Sequence, residues 1–187
     1  VGRRVDHLSA SEISAATIES VAENSSDSVV GPLFFFVVCG IPGALVYRYV
    51  NNCDAILGYR TPELEWLGKA AARTDDVLNL IPARLSASLM ILASYPYTSA
   101  AQAMWIWIRD AASTESPNAG HPISVAAGSL GDRLEKLEHY EIGRELRNPE
   151  ASDIRRMVNL YTRTVILAVA LAVCILPLID LISWGQT

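Results

Sequence analysis

Charge is scarce in this sequence: Asp, Glu, Lys and Arg make up 19% of 187 residues, against 51% hydrophobic residues, where soluble domains carry about 25% charged. That shortage points toward a membrane protein. Basic residues form no stripe and the net charge is −5, which argues against a nucleic-acid surface. The nearest candidate, LRNPEASDIRRMVNLYTR, mixes signs and leads into an apolar run, so its arginines belong at lipid headgroups. Three cysteines (Cys39, Cys53, Cys174) have no metal-ligand spacing, and their odd number gives no disulfide framework. Three scattered histidines (His7, His121, His139) spell no zinc site. A Gly-rich loop ending in Lys-Ser/Thr is missing, as are internal repeats and low-complexity tracts.

The apolar residues are gathered in three blocks. VVGPLFFFVVCGIPGALVY (29–47) is broken by Gly31, Pro32, Gly40, Pro42 and Gly43; LSASLMILASYPYTSAAQAMWIWI (85–108) has Pro96 near its middle; VILAVALAVCILPLIDLISW (165–184) is interrupted by Pro177 and Asp180. About 20 helical residues span a bilayer core, so each block is long enough. The expected class is all-α: a polytopic integral membrane helical protein with Gly/Pro-broken or re-entrant segments, one membrane-embedded domain over 1–187. The first block lies too far from Val1 to be a signal peptide. Because the chain opens on Val1, an N-terminal part is expected to be missing.

Local signals place helices around these blocks. Ser9 with Glu12 forms a capping-box pattern. On that helix Glu12, Glu19 and Glu23 share one stripe; the dipole explains Glu12, but Glu19 and Glu23 repel unless something positive lies between them. A second helix starts with Thr61 as cap, Pro62, Glu63 and Glu65. Its Leu64, Leu67, Ala71, Thr74, Leu78 and Ile81 recur at three and four, a stripe expected to pack inward. Glu65 with Lys69 and Arg73 with Asp76 have ordinary surface-pair spacing, whereas Asp75 and Asn79 have no such explanation. A lipid-facing turn is expected after Pro82. In the loop after block two, SPNAGHP is turn chemistry, and a helix is expected from Ile123 to about Glu138, with Gly128 and Gly131 as a bare patch for close packing or a substrate edge. Asp153 starts the last helix.

Topology poses a problem. If each block crosses once, the positive-inside rule puts the 109–163 loop in the cytoplasm and ARTDDVLNLIPAR (72–84) outside. One active site could not then collect both. At least one of the first two blocks is therefore expected to be re-entrant or a helical hairpin, which brings Asp76 and Asn118 to one face.

Read in order, ESVAENSSDSVVGPLF, YRYVNNCDAILGYR, WLGKAAARTDDVLNLIPARL and SPNAGHPISVAAGSLGDRLEK resemble the CbiB/CobD family of cobalamin biosynthesis, the membrane adenosylcobinamide-phosphate synthases. Family members are longer, so this chain resembles their C-terminal portion. The resemblance implies a carbon–nitrogen ligase that joins the free propionate of adenosylcobyric acid to aminopropanol or its phosphate, consuming ATP with Mg2+. It also implies a cell-membrane location with the active site on the cytoplasmic side, and as partners the lipid bilayer and other late cobalamin-pathway enzymes. Set beside that chemistry, Glu19, Glu23 and Asp76 are candidate catalytic groups. Asp27, Asp75 and Asp76 are candidate metal ligands. Asn24, Asn51, Asn79 and Asn118, with Lys69, Arg73 and Arg84, are candidates for binding substrate and phosphate. A non-catalytic membrane scaffold or signalling relative is the alternative, and a transporter using Asp180 a weaker one.

Overall fold

The computed structural model of the chain describes residues 8–57, 65–95, 99–136 and 139–184, with residues 178–184 as backbone only. The Thr61 cap, Pro96 and the side chain of Asp180 lie outside the described residues. Helices dominate: α1 (Ala10–Ser25), α2 (Gly31–Leu57), α3 (Glu65–Ser94), α4 (Ala100–Asp110), α5 (Gly120–Leu130) and α6 (Ala151–Trp184), with one small antiparallel hairpin, β1 (Leu134–Lys136) and β2 (Tyr140–Ile142). Three stretches are long and apolar enough to cross a membrane: Ala10–Leu57, Glu65–Ser94 and Ala151–Pro177. The protein is a helical membrane protein with Gly/Pro-broken apolar segments.

The Ser9 capping box forms as expected: Ser9 N–H donates to Glu12 Oε2 at 2.7 Å and Glu12 N–H donates to Ser9 Oγ at 3.3 Å. From α1 the chain runs through a π-helical turn, Ser26–Val30, into α2. There the first apolar block folds back on itself. Gly40 has φ 68° and ψ −161°, a conformation open almost solely to glycine. The rings of Phe35 and Tyr47 stack with centroids 5.2 Å apart, although a straight helix would separate residues 35 and 47 by about 18 Å. A side chain on Gly31 would overlap the Tyr47 ring, and one on Gly43 would come within 2.7 Å of Phe35 O. The two arms, 31–39 and 41–57, thus pack as a hairpin whose tip exposes Val38, Ile41, Leu45 and Val46.

The second block also returns. α3 ends at Ser94, and α4 comes back beside α5: a Cβ on Gly128 would lie 2.6 Å from Ala103 Cα. Asn118 Nδ2 therefore donates to Asp76 O at 2.7 Å, where a straight 24-residue crossing would hold the flanks about 36 Å apart. The expectation that at least one of the two blocks folds back is met: the return of the second reunites Asp76 with Asn118, and the first folds back as well.

Four local expectations need correcting. The Leu67–Ile81 stripe of α3 faces outward, with Leu67 and Ile81 each about 60% exposed, while Gly68, Asn79, Ala83 and Ser86 on the other side are buried. Apolar-out is the favourable arrangement when the solvent is lipid, and the small, polar row packs against neighbouring helices. No turn follows Pro82, which is buried within a continuous α3. α5 ends at Leu130, not near Glu138: Gly131 adopts φ 74° and caps it with its N–H on Ala127 O, so its role is the helix stop and not packing. It also begins earlier than expected, at Gly120, with Pro122 tolerated in the first turn. Finally, Lys69 and Glu65 pair at 2.6 Å, but no Arg73–Asp76 ion pair forms among the described residues.

One core joins these parts: Ile18 of α1, Met90 of α3, Ile106 of α4, Val125 of α5, Leu134 and Ile142 of the hairpin, and Met157 of α6 are fully or almost fully buried together. Ser25 Oγ and Ser86 Oγ, 2.9 Å apart and buried, lock α1 to α3. That contact fixes the end of α1 against the polar row of α3.

Candidate functional site

Where α1, the open end of the α2 hairpin, α3 and the loop before α5 converge, a cleft of about 580 Å³ is lined by Glu23, Asn24, Asp27, Asn51, Asp54, Asp75, Asp76, Asn79, Glu115, Ser116 and Asn118, among others. Four separate segments of the sequence supply it. The π-helical turn Ser26–Val30 shifts the register of one helical turn at the point where Asp27 enters the cleft.

A chain of hydrogen bonds orients the walls. Tyr47 O–H, 1% exposed, donates to Asn79 Oδ1 at 2.7 Å, and Asn79 Nδ2 donates to Asp75 Oδ2 at 2.9 Å. The other Asp75 oxygen accepts from Asn51 Nδ2 at 3.2 Å, and Arg48 Nη1 donates to Asn51 Oδ1 at 3.3 Å and to Asp27 O at 3.1 Å. Across the cleft, Ser116 Oγ donates to Asp76 Oδ1 at 3.3 Å, and Asn118 Nδ2 donates to the Asp76 carbonyl. Arg84 stands at the rim, with Nη1 2.7 Å from Leu80 O and 3.5 Å from Asn118 Oδ1.

The Ser116–Asn118 loop is itself braced. Trp107 Nε1–H donates to His121 Nδ1 at 2.7 Å, so that nitrogen carries no proton. Burial, then the charge of Arg84, depresses the His121 pKa below the ordinary histidine value against an opposing bond to the Pro117 backbone. Neutral imidazole is thereby favoured. On the far side of the loop lies a hollow of about 710 Å³, lined by Arg84, Met104, Trp107 and His121 and sharing Glu115 with the cleft.

Of the residues singled out from sequence, Glu23, Asn24, Asp27, Asn51, Asp75, Asp76, Asn79 and Asn118 line the cleft, and Arg84 touches its edge. Glu19 is buried within α1, away from the lining. Lys69 pairs with Glu65 and stacks 5.2 Å over Trp66, and Arg73 is exposed; neither lines the cleft. A positive charge does act on Glu23 of that stripe, from Lys136 of β1. Sequence reasoning missed Asp54, Glu115 and Ser116 on the lining, and Tyr47 and Arg48 behind it. Asp54 was reachable, being three residues from Asn51 on one helical face; Tyr47 was not, because its role depends on the reversal at Gly40.

Six carboxylates in one cleft repel one another, and a cation bound there would offset that repulsion. Among the described residues no group of three or more His, Cys, Asp or Glu side chains is arranged to hold a metal ion by itself. The donors are all hard oxygens, which suits Mg2+ sharing one or two carboxylates with phosphate oxygens and waters.

A family model described as CobD/Cbib protein matches residues 1–161. The cobalamin biosynthesis protein CobD of Dehalococcoides mccartyi is 48% identical over 149 residues, 79% of this chain and 48% of that protein. The CobD of Rhodobacter capsulatus is 40% identical over 171 residues (87% and 54%), and a probable CobD of Methanothrix thermoacetophila is 38% identical over 184 (96% and 58%). The chain spans about half the length of these curated relatives. No solved structure matches it. With the family model covering most of its length and these relatives alongside, the chain belongs to the CobD/CbiB family of cobalamin biosynthesis proteins.

Proposed function

We propose that this chain carries the reaction cleft of a membrane-embedded acid–amine ligase that joins adenosylcobyric acid to aminopropanol or aminopropanol phosphate, with ATP consumed. The observation that supports it best is the convergence of carboxylates and amides from four segments into one cleft at the polar end of an apolar hairpin. A scaffold has no use for buried Asn79 and Asn118 turned onto Asp75 and Asp76.

A carboxylate resists attack by an amine, so the propionate first takes the terminal phosphoryl group of ATP, releasing ADP and giving an acyl phosphate. The amine nitrogen then attacks the acyl carbon, the carbon–oxygen bond to phosphate breaks, and phosphate leaves with the electron pair. Asp27, Asp75 and Asp76 are the residues to hold Mg2+, which when bound neutralises phosphate charge. Asn51 and Asn118 give N–H donors to phosphate or corrinoid amide oxygens. Glu23, open to the cleft, accepts the proton that the ammonium must lose before attack. Arg84 faces both the cleft edge and the adjoining hollow, where it can hold the reacting carboxylate while the corrinoid lies against Trp107 and Met104.

The test uses membranes containing the full-length protein, MgATP, adenosylcobyric acid and either amine. Wild type should form a cobinamide product, and Asp76→Ala should lower turnover roughly 100-fold with insertion unchanged. Product formation by Asp76→Ala at the wild-type rate would remove α3 from the reaction, and no product from wild type with either amine would leave the scaffold reading.

A further inference from the structure

About 15 Å along α5 from the cleft-lining Ala119, a separate hollow of about 310 Å³ opens between the ends of α3 and α5 and the polar start of α6. Its polar lining is Ser94, Ser129, Arg156, Asn159 and Arg163. Arg156, Asn159 and Arg163 stand at i, i+3 and i+7, on one face of α6. Two guanidiniums and an amide so placed offer many N–H donors in fork geometry, the set that recognises phosphate.

Two further observations point to a ligand. Ser129 is 2% exposed, and its hydroxyl has no hydrogen-bond partner among the described residues. A buried hydroxyl without a partner costs stability where alanine would pack equally well. Its place at the wall of a cationic hollow is explained by an acceptor that arrives with the ligand. Arg156, meanwhile, is held in place by Nη1 donating to Asp153 Oδ1 at 2.8 Å, a carboxylate that Arg147 also grips with both Nη atoms at 2.8 and 2.9 Å. The guanidinium is thus anchored on one side, with further donors for the hollow.

The hollow lies at a boundary between polar and apolar surface. Ala93, Leu130 and Leu160 give the hollow an apolar side, two residues beyond Arg163 the third apolar block begins, and Ile166, less than one turn after Arg163, and Leu92, next to the lining Ala93, are exposed. A ligand with a phosphate at the arginines and hydrocarbon along those side chains satisfies both surfaces. We propose that this hollow is a phosphate-binding site, independent of the reaction cleft, whose occupant is the phosphodiester headgroup of an anionic lipid. It stands whether or not the ligase reading does.

The test is native mass spectrometry of the detergent-purified full-length protein with added phosphatidylglycerol or phosphatidylcholine, beside calorimetric titration with inorganic phosphate. Wild type should retain phosphatidylglycerol over phosphatidylcholine, Arg163→Gln should bind it about tenfold more weakly, and Arg163→Lys should recover part of the loss. Arg155→Gln, exposed and off this face, should bind as wild type does. Ser129→Ala decides the matter if the arginine variant disturbs α6: it should weaken lipid retention without lowering the unfolding temperature, because its hydroxyl has no bond to lose among the described residues. If lipid shows no preference but phosphate binding is weakened in Arg163→Gln and Ser129→Ala, the phosphate site stands with a soluble phosphate ester as its source. If both variants hold lipid and phosphate as tightly as wild type, the proposal is overturned.

Discussion

Asn79 is fixed from two sides: Tyr47 O–H donates to its Oδ1 and its Nδ2 donates to Asp75. Phenylalanine at 47 would leave that oxygen without its donor at a position 2% exposed, a loss of about 1–3 kcal/mol. Tyr47→Phe should therefore lower both the unfolding temperature and the turnover of the full-length protein, with Asp75 losing its orientation. Lys69→Ala is the contrast. Its ammonium lies outside the cleft on Glu65 and Trp66, and an exposed pair contributes about 0.2–1 kcal/mol, so turnover should stay at the wild-type level. Assaying the two variants in parallel checks whether the cleft, rather than the basic cluster of the sequence, defines the site. His121 supplies a pH test. Its folded-state pKa lies below the unfolded value, so its contribution is complete above about 6.5 and is lost as pH falls through the depressed folded value. Protonation of Nδ1 also ends its acceptance of the Trp107 N–H. Trp107 emission in a variant with tryptophan only at 107 should change in that acidic window, and His121→Gln should shift or abolish the change.

At the scale of elements, the reversal of α2 carries the site, because it brings Arg48, Asn51 and Asp54 back to the level of Asp27. Gly40→Ala would put a Cβ into backbone at φ 68°, a strain of about 1–3 kcal/mol. The expected outcome is a lower unfolding temperature with reduced activity, while Ala44→Gly, on the same arm with ordinary helical geometry, keeps the hairpin. The hairpin was legible as a class of event: Gly31, Pro32, Gly40, Pro42 and Gly43 broke the block, and collecting the polar clusters before and after it into one site required a return. Which residue turns the chain was not, since several glycines compete and only packing of Phe35 on Tyr47 selects Gly40. The helix start at Ser9 was legible because a capping box is local. The face of α3 was misread because periodicity reports that a stripe exists, and the surrounding solvent decides whether it turns in or out. The β hairpin was missed because Leu134 and Ile142 join the common core by tertiary contact, and its strands of three residues leave almost no alternation to read.

For the whole molecule, the first two blocks both fold back, and the expected outcome is that α6 is the apolar run that crosses and every wall of the cleft faces one side of the bilayer. The chain carries its own probes. In the protein alone Cys39 and Cys174 are exposed and Cys53 is half-buried, so exposure to water would make Cys53 the slowest to react. A bilayer reverses that order: Cys39 sits beside the apolar tip of the α2 hairpin and Cys174 within the third block, where lipid excludes a charged reagent, whereas Cys53 adjoins Asp54 at the cleft. In sealed vesicles of the full-length protein bearing these as its only cysteines, an impermeant maleimide should label Cys53 from a single side and leave Cys39 and Cys174 untouched until detergent is added. Ala112→Cys, exposed just after α4, should react from the same side as Cys53. Labelling of Ala112→Cys from the opposite side would mean that the second block crosses, and rapid labelling of Cys39 in intact vesicles would place the hairpin outside the bilayer; either result would separate the walls that the cleft brings together.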